Sequence, residues 1–312
     1  MVENKDKSRL NKIKVQILLS TYNGEHYLRE QLDSILKQDF PNIEVLIRDD
    51  GSKDATVPIL DEYVAKYQNI SYFVGENSGP CQSFFELVKK ADKTADYYAF
   101  SDQDDYWKPS KIRKALERLE EEQQALPLLY AGKPEIVNEK LEQIDTNIMQ
   151  HKITPAFGNA LVENVCIGCS IVFNKHLYDM VEEKLPQYSY MHDWWFYLVA
   201  SCFGKVIYDE NSYLLYRQHS NNVLGVSVTP LQQFKSRVKR YRKNRGLIRK
   251  QVLEFQRLYV IEDTNKEKLL TEFIQTKHKW STRFRITFGG RLFRQNWKDN
   301  LIFKVMILLG QI

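Results

Sequence analysis

Val15-Gln16-Ile17-Leu18-Leu19-Ser20 is an apolar run of strand character, ended by the polar turn Thr21-Tyr22-Asn23-Gly24. Leu28, Leu32, Ile35 and Leu36 then recur at i, i+4, i+7 and i+8, the stripe of an amphipathic helix. Residues 43–48 form a second strand, which stops at Asp49-Asp50-Gly51-Ser52. Asp54 is placed to cap a helix carrying Ile59, Leu60, Tyr63 and Val64 on one side. Residues 70–74 read as a third strand, and a helical pattern over 83–90 leads to a fourth at 97–100. This alternation with short loops predicts an α/β domain whose mostly parallel sheet is covered on both faces. In such sheets ligands bind beyond the carboxyl ends of the strands. The polar loops 20–23, 49–52 and 101–105 all fall there. Residues 170–173 and 213–216 read as further strands. After residue 225 the pattern changes to long, basic, helix-like stretches, so the expected division is a domain over 1–225 and a mainly helical region over 226–312.

The 312 residues suffice for a full core, and 43% hydrophobic with 27% charged content is ordinary for a soluble globular chain. The net charge of +5 conceals an asymmetry. Residues 231–312 hold 20 Lys+Arg against 6 Asp+Glu, a balance of +14, which leaves 25 basic and 34 acidic residues, −9, in 1–230. The basic end asks for an anionic partner. It carries no nucleic-acid motif, and its Phe, Trp, Leu and Ile interleaved with Arg and Lys over 234–249 and 280–304 fit an anionic membrane surface. An ordinary helical subdomain with a solvated basic face is the plainer alternative. Residues 1–14 lack the apolar core of a secretory signal, and no apolar run reaches the ~18 residues of a spanning helix. Cys81, Cys166, Cys169 and Cys202 are too few and scattered for a disulfide framework. The lone C-x-x-C of Cys166 and Cys169 lacks a second pair or suitably spaced histidines, so a buried, reduced role rather than zinc or redox chemistry is expected for it, in a cytoplasmic setting.

Candidate chemistry concentrates in Tyr97-Tyr98-Ala99-Phe100-Ser101-Asp102-Gln103-Asp104-Asp105, where an apolar strand ends at three carboxylates in four positions. Carboxylates so close resist ionising together without a counter-cation, and a hard divalent ion such as Mg²⁺ or Mn²⁺ would supply one. The alternative is a solvated acidic turn before a helix starting at Pro109-Ser110-Lys111. No G-x-G-x-x-G follows the first strand and no P-loop pattern occurs anywhere, so a phosphate ligand would depend on metal and side chains. That counts against a dehydrogenase or nucleotidyltransferase.

Five segments, LLSTYNGEHYLREQLDSILKQ, LIRDDGSKDAT, FSDQDDYWKPSKI, MHDWWFYLVA and YRQHSNNVLG, lie in order over residues 14–225. Through them the chain resembles family 2 glycosyltransferases of the GT-A fold, most of all bacterial rhamnosyltransferases of cell-wall or capsular polysaccharide synthesis. The resemblance implies that Ser20 and Tyr22 line the nucleotide pocket and that Asp50 accepts a hydrogen bond from a pyrimidine imide. It implies that Asp104 binds Mn²⁺ or Mg²⁺, with Asp102 on the ribose or in the metal's shell and His219 on the diphosphate or the metal. Arg217 would grip a phosphate, and Asp193 would be the catalytic base, a helix N-cap being its structural alternative. Gly168, Cys169, His192 and Trp194 would lie on the acceptor side. Asp105 is expected to orient rather than ligate, and Trp107 to pack. The implied donor is a nucleotide-diphosphate sugar, dTDP-rhamnose first and a UDP-hexose (glucose or galactose) second. The implied acceptor is a lipid-linked glycan at the cytoplasmic membrane face. The Q-x-x-R-W signature of processive members is absent, which argues for addition of a single sugar. A homo-oligomer is left open.

Overall fold

The computed structural model describes residues 12–144, 152–218 and 246–312. In chain order the elements are β1 (Val15–Thr21), α1 (Leu28–Leu36), β2 (Ile43–Asp49), α2 (Thr56–Lys66), β3 (Ile70–Val74), α3 (Pro80–Lys90) and β4 (Tyr97–Ser101). Next come β5 (Tyr106–Trp107), α4 (Lys111–Glu120), β6 (Leu128–Gly132), β7 (Glu135–Val137) and the short α5 (Phe157–Ala160). After them follow β8 (Ile171–Asn174), α6 (Lys175–Glu182), α7 (His192–Phe203), β9 (Lys205–Asp209) and β10 (Leu214–Arg217). The chain ends in α8 (Leu247–Leu258), α9 (Thr264–Gln275), α10 (Trp280–Phe288) and α11 (Trp297–Leu308).

Seven strands form one sheet in the order β3-β2-β1-β4-β8-β6-β9, parallel except for β8, which runs antiparallel to both neighbours. The expected mostly parallel α/β sheet is therefore present. A small second sheet joins β5, β10 and β7. The two-residue period of the strands decides which helices cover which face. Val15, Ile17, Leu19, Tyr97 and Ala99 pack with the apolar stripes of α1, α2 and α4. Tyr98 and Phe100, the alternate positions of β4, stack instead among Phe84, Phe173, Tyr178 and Phe196. The chain winds outward from β1 to β3 and then returns to place β4 on the other side of β1. Such a reversal opens a crevice at the carboxyl ends of the two strands flanking it.

The described residues group into two compact units. The first comprises residues 12–144, Cys166–Leu185 and Met191–Gln218 and contains both sheets. The second comprises residues 152–165, Pro186–Tyr190 and 246–312. The boundary expected after residue 225 lies outside the described residues, as does His219. Within the second unit Val252, Phe255, Leu270, Phe273, Ile286, Leu292, Phe303 and Ile307 are buried, and Asp263 and Asn296 cap α9 and α11. The basic, aromatic stretch 280–304 is two helices rather than one. It breaks at Gly289-Gly290, where Gly290 takes the left-handed φ of +69° that favours glycine. No helix among the described residues is long and apolar enough to cross a membrane.

Candidate functional site

Three loops meet at the carboxyl ends of β1, β2 and β4. Strand register brings them level, since Leu19 pairs with Ser101 and Thr21 with Asp49. Gln103 clips the β1 loop to the β4 loop. Its Oε1 accepts from Thr21 Oγ1 at 2.6 Å and from the Tyr22 N–H at 2.8 Å, while its Nε2 donates to the Tyr22 carbonyl at 3.1 Å. Asn23, in the left-handed region with φ 47°, donates its N–H to Ser52 Oγ and accepts from the Lys53 N–H, both at 2.9 Å. Tyr22 is left 44% exposed at the rim. Ser20 Oγ lies 2.6 Å from Ser83 Oγ.

Asp49 closes its own turn through the N–H groups of Gly51 and Ser52. Asp50 is buried, and both oxygens are engaged. Oδ1 takes Arg48 Nη1 and the Ser78 N–H (3.0 Å), and Oδ2 takes the Gly79 N–H (2.9 Å). Burial alone would raise its pKa, but Arg48 and those two backbone donors outweigh it and hold the carboxyl below the usual range. Asp50 is thus a fixed anion.

Asp102, Gln103 and Asp104 are half-buried and Asp105 is fully buried. Ligating atoms of Asp102, Asp105 and Cys169 lie within 4.8 Å of one another. Burial first, then Asp104 and Asp193, push Asp102 up to about 7. Burial and the same crowding raise Asp105 well above its usual value. Asp105 Oδ1 accepts the Arg217 N–H at 3.2 Å, while Oδ2 is buried without a hydrogen bond. None of the four cysteines is in a disulfide, and burial, then Asp105 and Asp102, raise the Cys169 thiol well above its usual value, so it stays protonated at neutral pH. Crowded carboxylates, with Asp102 and Asp105 raised, beside a thiol rather than a thiolate make a donor set for a hard cation.

Below this cluster sits Lys111, which the motifs did not single out. It is 3% exposed, its Nζ makes no hydrogen bond, and it lies 3.5 Å above the centroid of the buried Trp107 ring. Burial lowers it to about 7, against the pull of Cys169 and Asp105.

Asp193 is the second residue of α7, whose N-cap is Met191, so the N-cap raised as its structural alternative is not the position it occupies. Its Oδ2 accepts the Gly168 N–H at 3.0 Å and its Oδ1 the Trp194 N–H at 2.6 Å. A place in the first helical turn favours the ionised form. A Cβ at Gly168 would lie 3.1 Å from His192 Nε2, so any side chain there would press on that ring, and at an ordinary 3.5 Å from Asp193 Cβ.

Two expectations are met differently. His192 is not on an open acceptor face. It is buried, stacked 3.8 Å from Phe84 and edge-on to Phe100, with neither ring nitrogen hydrogen-bonded, and burial lowers it to about 3, so it is neutral. Adjacent helical residues point about 100° apart, which is why His192 faces the core while Asp193 faces Gly168. Arg217 is 2% exposed, and its guanidinium is engaged by protein. Nε donates to the Asp104 carbonyl at 2.8 Å, Nη1 to the Glu139 carbonyl and Nη2 to Glu30, with the Tyr27 ring 4.6 Å away. It holds the acid-bearing loop rather than presenting a fork for a phosphate. Trp194 is buried, and Trp107 packs as expected.

The sequence pattern of Glycosyl transferase family 2 matches residues 16–181, more than half of the chain. The dTDP-rhamnosyl transferase RfbG of Shigella flexneri is 29% identical over 248 residues, covering 74% of this chain and 79% of its own. An uncharacterised glycosyltransferase of Rickettsia typhi is 27% identical over 230 residues, covering 71% and 69%. Among solved structures, residues 1–349 of S. aureus TarS, in complex with UDP-GlcNAc, match with a TM-score of 0.57 at 19% identity, covering 95% of this chain and 82% of that one. The mannosyltransferase PcManGT of Pyrobaculum calidifontis, in complex with GDP-Man and Mn²⁺, matches with a TM-score of 0.54 at 15% identity, covering 88% and 72%.

Proposed function

From the premise that this chain belongs to glycosyl transferase family 2, with a GT-A type fold, we propose that it moves one sugar, with inversion, from a nucleotide-diphosphate sugar to a hydroxyl of a lipid-linked glycan. The observation that carries the reading is the fixed anion Asp50, the crowded acids Asp102, Asp104 and Asp105, and the oriented carboxylate Asp193, all borne on loops at the carboxyl ends of one sheet or on the helix beside them. Rhamnose as the sugar and dTDP as the carrier rest on the similarity to the Shigella flexneri enzyme and on the segments around Asp193 and Arg217.

Asp50 Oδ2, with one N–H already on it, keeps a lone pair for the imide N–H of a thymine or uracil. Tyr22, exposed at the rim, offers a ring face to the base. Asp102 and Asp104 are the residues that would hold Mn²⁺ or Mg²⁺, supported by the raised carboxyls and the buried, unbonded Asp105 oxygen. A divalent cation held there supplies neutralisation of the donor's diphosphate. Asp193 takes the proton of the acceptor hydroxyl as its oxygen attacks the anomeric carbon from the face opposite the diphosphate. The anomeric C–O bond breaks with its electron pair leaving on the nucleotide diphosphate, and the anomeric configuration inverts. The Gly168 N–H holds the carboxylate still for that approach.

Isothermal titration of the protein with dTDP-rhamnose, UDP-glucose and UDP-galactose, with and without Mn²⁺, tests both levels. Metal-dependent binding of dTDP-rhamnose alone is the expected result. Preference for a UDP-hexose would replace the sugar, and no binding of any nucleotide sugar would overturn the transferase reading at this site.

A further inference from the structure

α10 and α11 each bury one face in the second unit and turn an apolar face outward. Inward go Thr282 and Ile286 on α10 and Phe303 and Ile307 on α11. Outward go Trp280, Phe284 and Phe288, then Trp297, Leu301, Val305 and, just past the helix, Leu309, each 46–68% exposed. Four-residue spacing keeps each set on one helical face. These seven are most of the large exposed apolar side chains among the described residues, and the rings of Phe284 and Phe288 touch at 4.5 Å. A helix such as α11, apolar on two sides, needs a second apolar environment besides its own core.

The charges say which one. Residues 277–312 hold eight Lys and Arg against one acid, Asp299, a balance of +7. Several of these cations are spent within the unit. Arg285 and Arg291 pair with Glu272, Arg294 pairs with Glu163, and Arg283 donates to the carbonyls of Thr276, Lys277 and Leu308. Lys277, Lys279, Lys298 and Lys304 make no ion pair among the described residues. Three of them sit beside the aromatic anchors, Lys277 and Lys279 just before Trp280 and Lys298 just after Trp297, with its Nζ 5.6 Å from the indole.

We infer that the outward faces of α10 and α11 dock onto an anionic phospholipid bilayer, with the tryptophans at headgroup level, the phenylalanines, leucines and valine among the upper acyl carbons, and the lysines on lipid phosphates. Trp and Lys at helix starts with Phe and Leu along the same face are the composition that a membrane interface selects. A second copy of the chain fits worse, since it would bring two basic ridges together. The inference deepens the proposed function and rests on it for its purpose, access to a lipid-linked acceptor, but its geometry comes from these two helices alone.

Flotation of the full chain with phosphatidylcholine vesicles, and with vesicles that also contain phosphatidylglycerol, tests it at low and high salt. The wild-type chain should float with the anionic vesicles and the indole emission should shift to the blue. The variant Trp280→Ser/Trp297→Ser/Leu301→Ser should lose about ten-fold or more in partitioning at both salt concentrations, because it removes insertion. The variant Lys277→Gln/Lys279→Gln/Lys298→Gln should lose only the salt-sensitive part. Circular dichroism and sugar transfer to a water-soluble acceptor should match wild type in both, which excludes misfolding. Equal partitioning of wild type and the Trp/Leu variant overturns the inference. So does light scattering that shows a dimer which this variant dissolves. Sugar transfer without vesicle binding sinks the docking surface and spares the enzyme, and the reverse result does the opposite.

Discussion

Asp193 separates what a charge does from what a hydrogen-bond acceptor does. An asparagine at 193 keeps an oxygen for the Gly168 N–H, loses the acceptor that the Trp194 N–H uses, and has no affinity for a hydroxyl proton. Asp193→Asn should therefore still fold and bind donor, with a melting temperature lowered only modestly, while turnover falls by about 10²–10⁴-fold. Single-turnover kinetics beside calorimetry would check this, and a normal rate with a lowered melting temperature would make Asp193 structural. Asp102 gives a prediction in pH. Its folded pKa, raised from 3.8 to about 7, means that the folded chain holds this proton more tightly than the unfolded one. Stability from this group therefore declines as pH rises from about 4 to about 7, and the loss is complete above that window. If Mg²⁺ answers the charge, its effect on melting temperature should be larger at about pH 8 than at about pH 5. Equal shifts at both would place the ion elsewhere. The acids themselves were legible because they interrupt an apolar run. Arg48, Gln103 and Lys111 were not, because their partners are set by strand register and burial, which no local pattern carries. Gln103 lay in plain view between two aspartates, and only the Thr21 and Tyr22 groups across the sheet give it a purpose.

At the level of elements, the first four strands and the helices between them could be read from period alone, and the site loops with them. What could not be read was the direction of β8, whose strand character was plain over 170–173. This strand follows a long excursion rather than a crossover helix, so nothing required it to return parallel, and it enters the sheet between β4 and β6 in the opposite sense. The edge strand β9 was not read either. Gly204, at its start, is held against Pro127, where a Cβ would come within 1.7 Å of the carbonyl oxygen that Lys205 N–H bonds at 2.9 Å. Gly204→Ala should cost about 2–4 kcal/mol, read as a lower denaturation midpoint with unchanged slope. Loop coupling gives a second expectation. Gln103→Ala strips the Thr21 hydroxyl and both Tyr22 backbone groups of their partner. Nucleotide affinity should fall about ten-fold through the loosened β1 loop, with little change in melting temperature. Unchanged affinity in titration calorimetry would show the clip to be dispensable.

For the molecule as a whole, composition drew one line after residue 225, whereas compactness groups residues 152–165 and 186–190 with the C-terminal helices. Those two segments are too short and too mixed in composition to announce that. The long reach of Arg217 has a consequence for how the protein is made. Its backbone N–H meets Asp105 from 112 positions further along the chain, and its side chain meets the Asp104 carbonyl. At ~5–20 residues per second, a ribosome needs roughly 6–22 s to travel from the acids to the arginine that pins their loop. During that interval the nascent sheet carries a crowd of carboxylates with no bolt behind them. Refolding from denaturant should show the same order, with sheet circular dichroism returning before donor binding does, and Arg217→Met should lengthen the gap between the two signals.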